Sequence, residues 1–203
     1  MKIKVRFLRH GDSPETEDDN SRPLSDLGKK QIEATGIQRF PIIQPFLLLT
    51  SKKVRAIQSA FILANVTGNF GTDPLPLSGL DYSWPANDTS LNGLVLGSEH
   101  DNITLASSLA EQFPVFTRTV RGMLIGSLLT AIEMRIALNK WRQPGDNPEI
   151  WIVGHSPFGE FMSPDLGRTT RRPNAGGFTF MLELESSAVH MHSLELFEPG
   201  VIA

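Results

Sequence analysis

Near the amino terminus the chain places apolar residues at every second position. Ile3, Val5 and Phe7 alternate with Lys2, Lys4 and Arg6, and Leu8 follows. That period predicts a strand ending near Leu8. From Ser25 the spacing lengthens to that of a helix. Ser25 caps a segment from Asp26 to about Phe40 in which Leu27, Ile32, Gly36 and Ile37 are expected to face the core. Phe46-Leu47-Leu48-Leu49, after Pro45, reads as a buried strand, and a helix from Val54 to Val66 ends at Gly68. The stretch from Gly71 to Asn102 is rich in Gly, Pro, Asn and Ser. It predicts a short strand near Leu75–Leu77 and otherwise loop, a length typical of lids and substrate loops.

Thr104 to Trp141 reads as helix divided by Pro114. Phe116, Val120, Leu124, Leu128, Ile132, Arg135 and Ile136 fall near one face of the longer piece. The turn Pro144–Pro148 leads into a buried strand, Ile150–Val153, with a short helix after Pro157. Alternation then resumes twice, at Phe178, Phe180, Leu182 and Leu184 and at Val189, Met191 and Leu194. This predicts an antiparallel hairpin turning at Ser186-Ser187. The order β-α-β-α-β-α-β-α-β-β predicts an α/β fold with three layers, helices covering both faces of a mainly parallel sheet. The 203 residues suit one domain over 1–203 with a loop-rich insertion at about 78–103.

Composition narrows the chemistry. The net charge is −3, so the basic surplus of a nucleic-acid binder is missing, although a local basic pocket is compatible with it. With no cysteine there is no thiolate nucleophile and no thiolate metal site. The charged start is unlike a secretory signal, and no unbroken apolar run reaches the ~20 residues of a membrane span. A cytoplasmic protein without membrane or nucleic-acid partners is the expectation.

In open α/β sheets ligands bind beyond the carboxyl ends of the strands. Three such ends carry reactive residues: Leu8-Arg9-His10-Gly11, then Thr50-Ser51 with Lys52, Lys53 and Arg55 in the next turn, then Gly154-His155-Ser156-Pro157. Arginine forks match phosphate oxygens, and a neutral imidazole can attack phosphorus. A second histidine, cationic or donating a hydrogen bond, stabilises the transferring group. The set is coherent for phosphoryl transfer.

Arg9-His10-Gly11 after a first strand resembles the signature of the histidine phosphatase (phosphoglycerate mutase-like) superfamily. Three further blocks follow in its order. Arg22-Pro23-Leu24-Ser25-Asp26-Leu27-Gly28 is similar to the family's opening of the first helix. Thr50 to Ala60 is similar to its block around a conserved arginine, and Ile152-Val153-Gly154-His155-Ser156-Pro157 to its second histidine block. The resemblance implies a phosphoglycerate mutase-like fold, His10 as the nucleophile that becomes phosphohistidine, and phosphate contacts from Arg9, His10, Arg55 and His155. It implies that Gly11 lets the backbone orient His10 through its other ring nitrogen. No metal and no cofactor are implied. The partner expected is a small phosphorylated molecule or a phosphohistidine protein.

For the general acid the matching region is Ser78 to Trp84, with Asp81 as the candidate and Asp88 and Glu99 behind it. The family's Trp-Glu-Gly continuation is absent, since Pro85 follows Trp84, and this favours hydrolysis over mutase transfer. Other polar clusters read more plainly. His190 and His192 share a strand face without a third ligand nearby, and His100 is a loop residue. Arg168, Arg171 and Arg172 suit a solvated loop slightly better than a second anion subsite. The acidic run from Glu15 to Asp19 is expected to be solvated loop.

Overall fold

The computed structural model describes residues 1–14, 18–77, 80, 105–138, 148–156, 159–165, 173–185 and 188–202. Its strands are β1 (Lys2–Arg9), β2 (Leu47–Thr50), β3 (Leu75–Pro76), β4 (Glu149–Gly154), β5 (Gly177–Leu184) and β6 (Val189–Phe197). Its helices are α1 (Asp26–Arg39), α2 (Val54–Val66), α3 (Leu105–Gln112) and α4 (Pro114–Leu138), with a 3-10 turn at Glu160–Met162. The strands form one sheet in the order β3-β2-β4-β1-β5-β6. β3, β2, β4 and β1 pair in parallel, while β5 runs antiparallel to both β1 and β6. The proposed turns at Ser186-Ser187 and Pro144–Asn147, and residues 78–79 and 81–103 of the proposed insertion, lie outside the described residues.

Alternation along the central strands divides the core between two faces. Ile3, Val5, Phe7, Leu49, Ile150 and Ile152 pack with Val120, Leu124, Leu128 and Ile132 of α4 and with Leu109 of α3. Leu8, Leu48, Trp151 and Val153 pack on the other face with Ile32 of α1 and Ala56, Ala60 and Leu63 of α2. The result is the expected three-layer arrangement. Both strand ends bearing histidine, β1 and β4, are central and adjacent, with β2 beside β4.

Two expectations are corrected. On α1, Leu27 and Ile37 are exposed, and the buried face is Gly28, Ile32, Thr35 and Gly36. The helix is drawn close to its neighbours through glycines: a Cβ at Gly36 would collide with Val66 of α2. Apolar periodicity weights large side chains and so misjudges a face built on small ones. On α4 Thr117 is buried where Ile136 is exposed, because the core contact ends at Ile132. Separately, α4 is long and apolar enough by length and composition to cross a membrane. The charges at Arg118, Arg121, Glu133 and Arg135 conceal this from a search for unbroken runs. One face of the helix packs on the sheet.

At the opposite end of the sheet Glu149 anchors the strands. Its carboxylate accepts from Arg6 Nε (2.8 Å) and Nη2 (3.1 Å) and from Trp151 Nε1 (3.0 Å), with Lys4 Nζ at 3.6 Å. Burial opposes its ionisation, but Arg6, Trp151 and Lys4 outweigh burial and hold its pKa below the usual 4.5. A depressed carboxyl contributes stability above its unfolded pKa and loses it as pH falls through the folded value. Glu149→Gln is therefore expected to lower neutral-pH stability by roughly 2 kcal/mol. It should also flatten the acid dependence of urea denaturation below about pH 4.5. Equal midpoints for variant and wild type at neutral pH would refute this.

Candidate active site

β1 delivers His10 at its carboxyl end, and the backbone pins it on both sides. His10 N donates to Gly154 O (3.0 Å), and Ala175 N donates to His10 O (3.1 Å). His10 is 6% exposed. Its Nδ1 lies 2.6 Å from Gly11 O; a carbonyl only accepts, so Nδ1 carries the proton. Nε2 then holds the lone pair and accepts from Arg55 Nε at 3.1 Å. Burial foremost, together with the charges of Arg9, Arg55 and Arg22, lowers the His10 pKa to about 3, against the Gly11 hydrogen bond that raises it. At neutral pH the ring is an uncharged base with its free electron pair on Nε2.

Gly11 matters for close approach. A Cβ there would stand 2.8 Å from the carbonyl carbon of Gly28, and a Cβ on Gly28 would stand 2.7 Å from Asp12 N. The loop after His10 is thus pressed directly on the first turn of α1. Ser25 Oγ joins the two by accepting from Gly28 N (3.0 Å) and donating to Asp12 Oδ2 (2.5 Å). Gly11 N donates to Ser59 Oγ (3.3 Å), whose proton goes to Arg55 O (2.7 Å), tying the loop after His10 to α2.

His155 follows β4 and is 5% exposed. Its ring centroid is 4.9 Å from that of His10. Burial, then the neighbouring His10, Arg55, Lys53 and Arg9, pushes its pKa well below 6.5. Its Nε2 is 2.5 Å from Ser51 Oγ at the end of β2. Arg9 lies at the end of β1, and its charge bears on both imidazoles.

The structure therefore brings His10, Arg9, Arg55 and His155 together at one edge of the sheet. Asp81, with Asp88, Glu99 and His100, lies outside the described residues, as do Arg168, Arg171 and Arg172. His190 and His192 are exposed on β6, near Glu185 (3.9 Å) and Glu183 (3.4 Å) respectively. Among the described residues no cluster of three metal-ligating side chains occurs.

Two further residues take places that the sequence did not assign them. One is Ser51, named there only as a strand-end residue and found against His155. The other is Asp19, expected as solvated loop. Arg55 Nη1 donates to the Asp19 carbonyl oxygen (2.5 Å), and the Asp19 carboxylate pairs with Arg55 Nη2 (3.0 Å), Arg22 Nη2 (3.0 Å) and Lys53 Nζ. Burial works against its ionisation, yet Lys53 and Arg55 hold its pKa at about 2. Asn20 O also accepts from Val54 N, so the loop caps the first turn of α2. One carboxylate thereby gathers three cations beside His10. The available signal was Arg22 within its Pro-Leu-Ser block and Lys53 beside Arg55; nothing in an acidic run marks which member turns inward.

Sheet order and layering define the phosphoglycerate mutase-like α/β fold, the fold of the histidine phosphatases. Three solved structures show the likeness. The structure described as mycobacterial hydrolase 2 matches over 100% of this chain and 93% of its own, with a TM-score of 0.64 and 16% identity. Mycobacterial glucosyl-3-phosphoglycerate phosphatase with inorganic phosphate matches over 96% of each chain, at a TM-score of 0.59 and 17% identity. Phosphoglycerate mutase from Bacillus anthracis str. Sterne covers 95% of this chain and 92% of its own, at 0.54 and 12%. No family model and no curated protein matches the sequence.

Proposed function

We propose that this chain is a phosphatase that hydrolyses a small phosphomonoester through a covalent phosphohistidine on His10. The observation that carries the reading is the state of His10: buried, uncharged, its proton committed to Gly11 O and its Nε2 lone pair directed at a cationic group. In the first step Nε2 forms a bond to phosphorus as the ester P–O bond breaks, and the leaving oxygen takes a proton. Asp81 is our candidate donor for it. In the second step water attacks phosphorus, returning a proton to that donor, and the P–N bond breaks, releasing inorganic phosphate and restoring the imidazole.

Arg9, Arg55 and His155 bind the phosphoryl oxygens, where positioning and charge neutralisation supply most of the rate. Arg55 now donates to Nε2, so a bound phosphoryl group takes over that Nε–H as it meets the lone pair. A solved structure of the same fold is a glucosyl-3-phosphoglycerate phosphatase, which fits a small-molecule ester as substrate. The test is rapid-quench labelling with a 32P-phosphomonoester. An alkali-stable, acid-labile phosphoenzyme mapped to the peptide containing His10 supports the reading. Phosphate binding with neither turnover nor phosphoenzyme would leave only a phospholigand-binding module.

A further inference from the structure

Four ring nitrogens belong to the His10–His155 pair, and three of them have hydrogen-bond partners. His10 Nδ1 is held by Gly11 O and its Nε2 by Arg55. His155 Nε2 is held by Ser51. His155 Nδ1 is buried and has no partner among the described residues.

Which proton state His155 adopts depends on Ser51. That residue is fully buried, and its backbone is fixed because Ser51 N donates to Val153 O at 3.1 Å, extending the β2–β4 ladder. Its hydroxyl already accepts from Lys53 N at 3.4 Å. A hydroxyl has a single proton to give and two lone pairs to accept with. Lys53 N–H can only donate to one of those lone pairs, and His155 Nε2 is the one group among the described residues able to take the proton, so the proton is directed along the 2.5 Å contact to Nε2. Nε2 is then the acceptor, and in the neutral ring the hydrogen must sit on Nδ1. A buried N–H without an acceptor is costly, at roughly 1–3 kcal/mol, so the resting protein holds a donor ready for an acceptor that arrives with the ligand.

We propose that Ser51 is a positioning residue that fixes His155 as the Nδ1–H tautomer, so that His155 serves as a neutral donor to a phosphoryl oxygen and not as a cation. This inference rests on the phosphatase reading and specifies it. The pair then has matched tautomers with opposite tasks: His10 keeps Nδ1–H on the backbone and attacks through Nε2, while His155 keeps Nε2 on Ser51 and donates through Nδ1.

The test reads the tautomer directly. Long-range 1H–15N correlation spectra of 15N-labelled protein near pH 7 should show His155 as Nδ1–H, its signals assigned by their loss in His155→Asn. A wild-type Nε2–H tautomer, or an imidazolium, would overturn the proposal without any serine variant being needed. In Ser51→Ala the ring should lose the Nδ1–H preference. With p-nitrophenyl phosphate kcat should then fall roughly a hundredfold, the size expected for one misdirected transition-state donor, with little change in KM. An alanine variant that keeps both the tautomer and kcat also overturns it. Should the wild type show no turnover, the phosphatase reading fails, and the tautomer measurement still decides the role of Ser51.

Discussion

Replacing His10 with alanine is expected to lower kcat for a phosphomonoester by at least roughly 10,000-fold, since removal of a nucleophile takes away the covalent route itself. The phosphoenzyme should vanish with it. Binding of vanadate or phosphate should persist at reduced affinity, because Arg9, Arg55 and His155 remain. A variant that still forms the labelled intermediate would refute the assignment.

The pH dependence offers a second check on the same residue. An unperturbed histidine would become protonated below 6.5 and lose its lone pair, whereas His10 stays neutral down to about pH 3. After correction for the substrate's own second ionisation, near pH 6 for a phosphate group, kcat/KM should show no acid limb from His10 between pH 5 and 7. A limb at an ordinary histidine pKa would contradict the buried, cation-flanked geometry. Linkage carries the same sign into stability. Below pH 6.5 the unfolded chain binds a proton that folded His10 refuses, so the fold loses stability as pH falls from 6.5 toward 3. His10→Ala should be less acid-sensitive over that window.

Chain-local physics made much of this molecule legible. Period-two alternation located β1 and β5 because each buries side chains against helices; β6, at the sheet edge, has no buried residue and is half-buried only at Met191, Leu194 and Phe197. Ser25 marked the start of α1 because a side-chain cap is a local hydrogen bond, here to Gly28 N. Placement of His10, Arg55 and His155 at one edge followed from the rule that parallel strands point their carboxyl ends the same way. What stayed hidden depends on distant segments meeting. Asp19 is one of several acids in a run, and only the fold decides that it faces Arg55. Ser51 resembles any small polar residue at a strand end until β4 sets His155 beside it. The exposed Leu27 shows the same limit, because α1 packs through glycines whose value lies in what they permit others to approach.

That glycine contact sets the second large effect. Intrinsic preference favours Gly28→Ala inside α1, by about 0.8–1.0 kcal/mol of helix propensity. Packing opposes it. The new Cβ would overlap the Asp12 carbonyl oxygen and stand 2.7 Å from Asp12 N and 2.9 Å from Asp12 C, all backbone atoms that no rotamer change can clear. The loop after His10 must then lift from α1, breaking the Ser25 bridge and shifting Gly11 O, the acceptor that fixes the His10 tautomer. The expected net cost is at least about 3 kcal/mol in urea denaturation, since backbone overlap exceeds ordinary overpacking. Activity should fall with it, because displacement of about 1 Å at a nucleophile can cost roughly a hundredfold. Gly122→Ala and Gly126→Ala on α4 are the controls: a Cβ at either has no neighbour within 4 Å among the described residues. Each should raise stability by about 0.5–1 kcal/mol, as removal of a helix-interior glycine does. If Gly28→Ala behaves like those two, the loop carrying His10 is not seated on α1, and the orientation of the His10 ring must come from elsewhere.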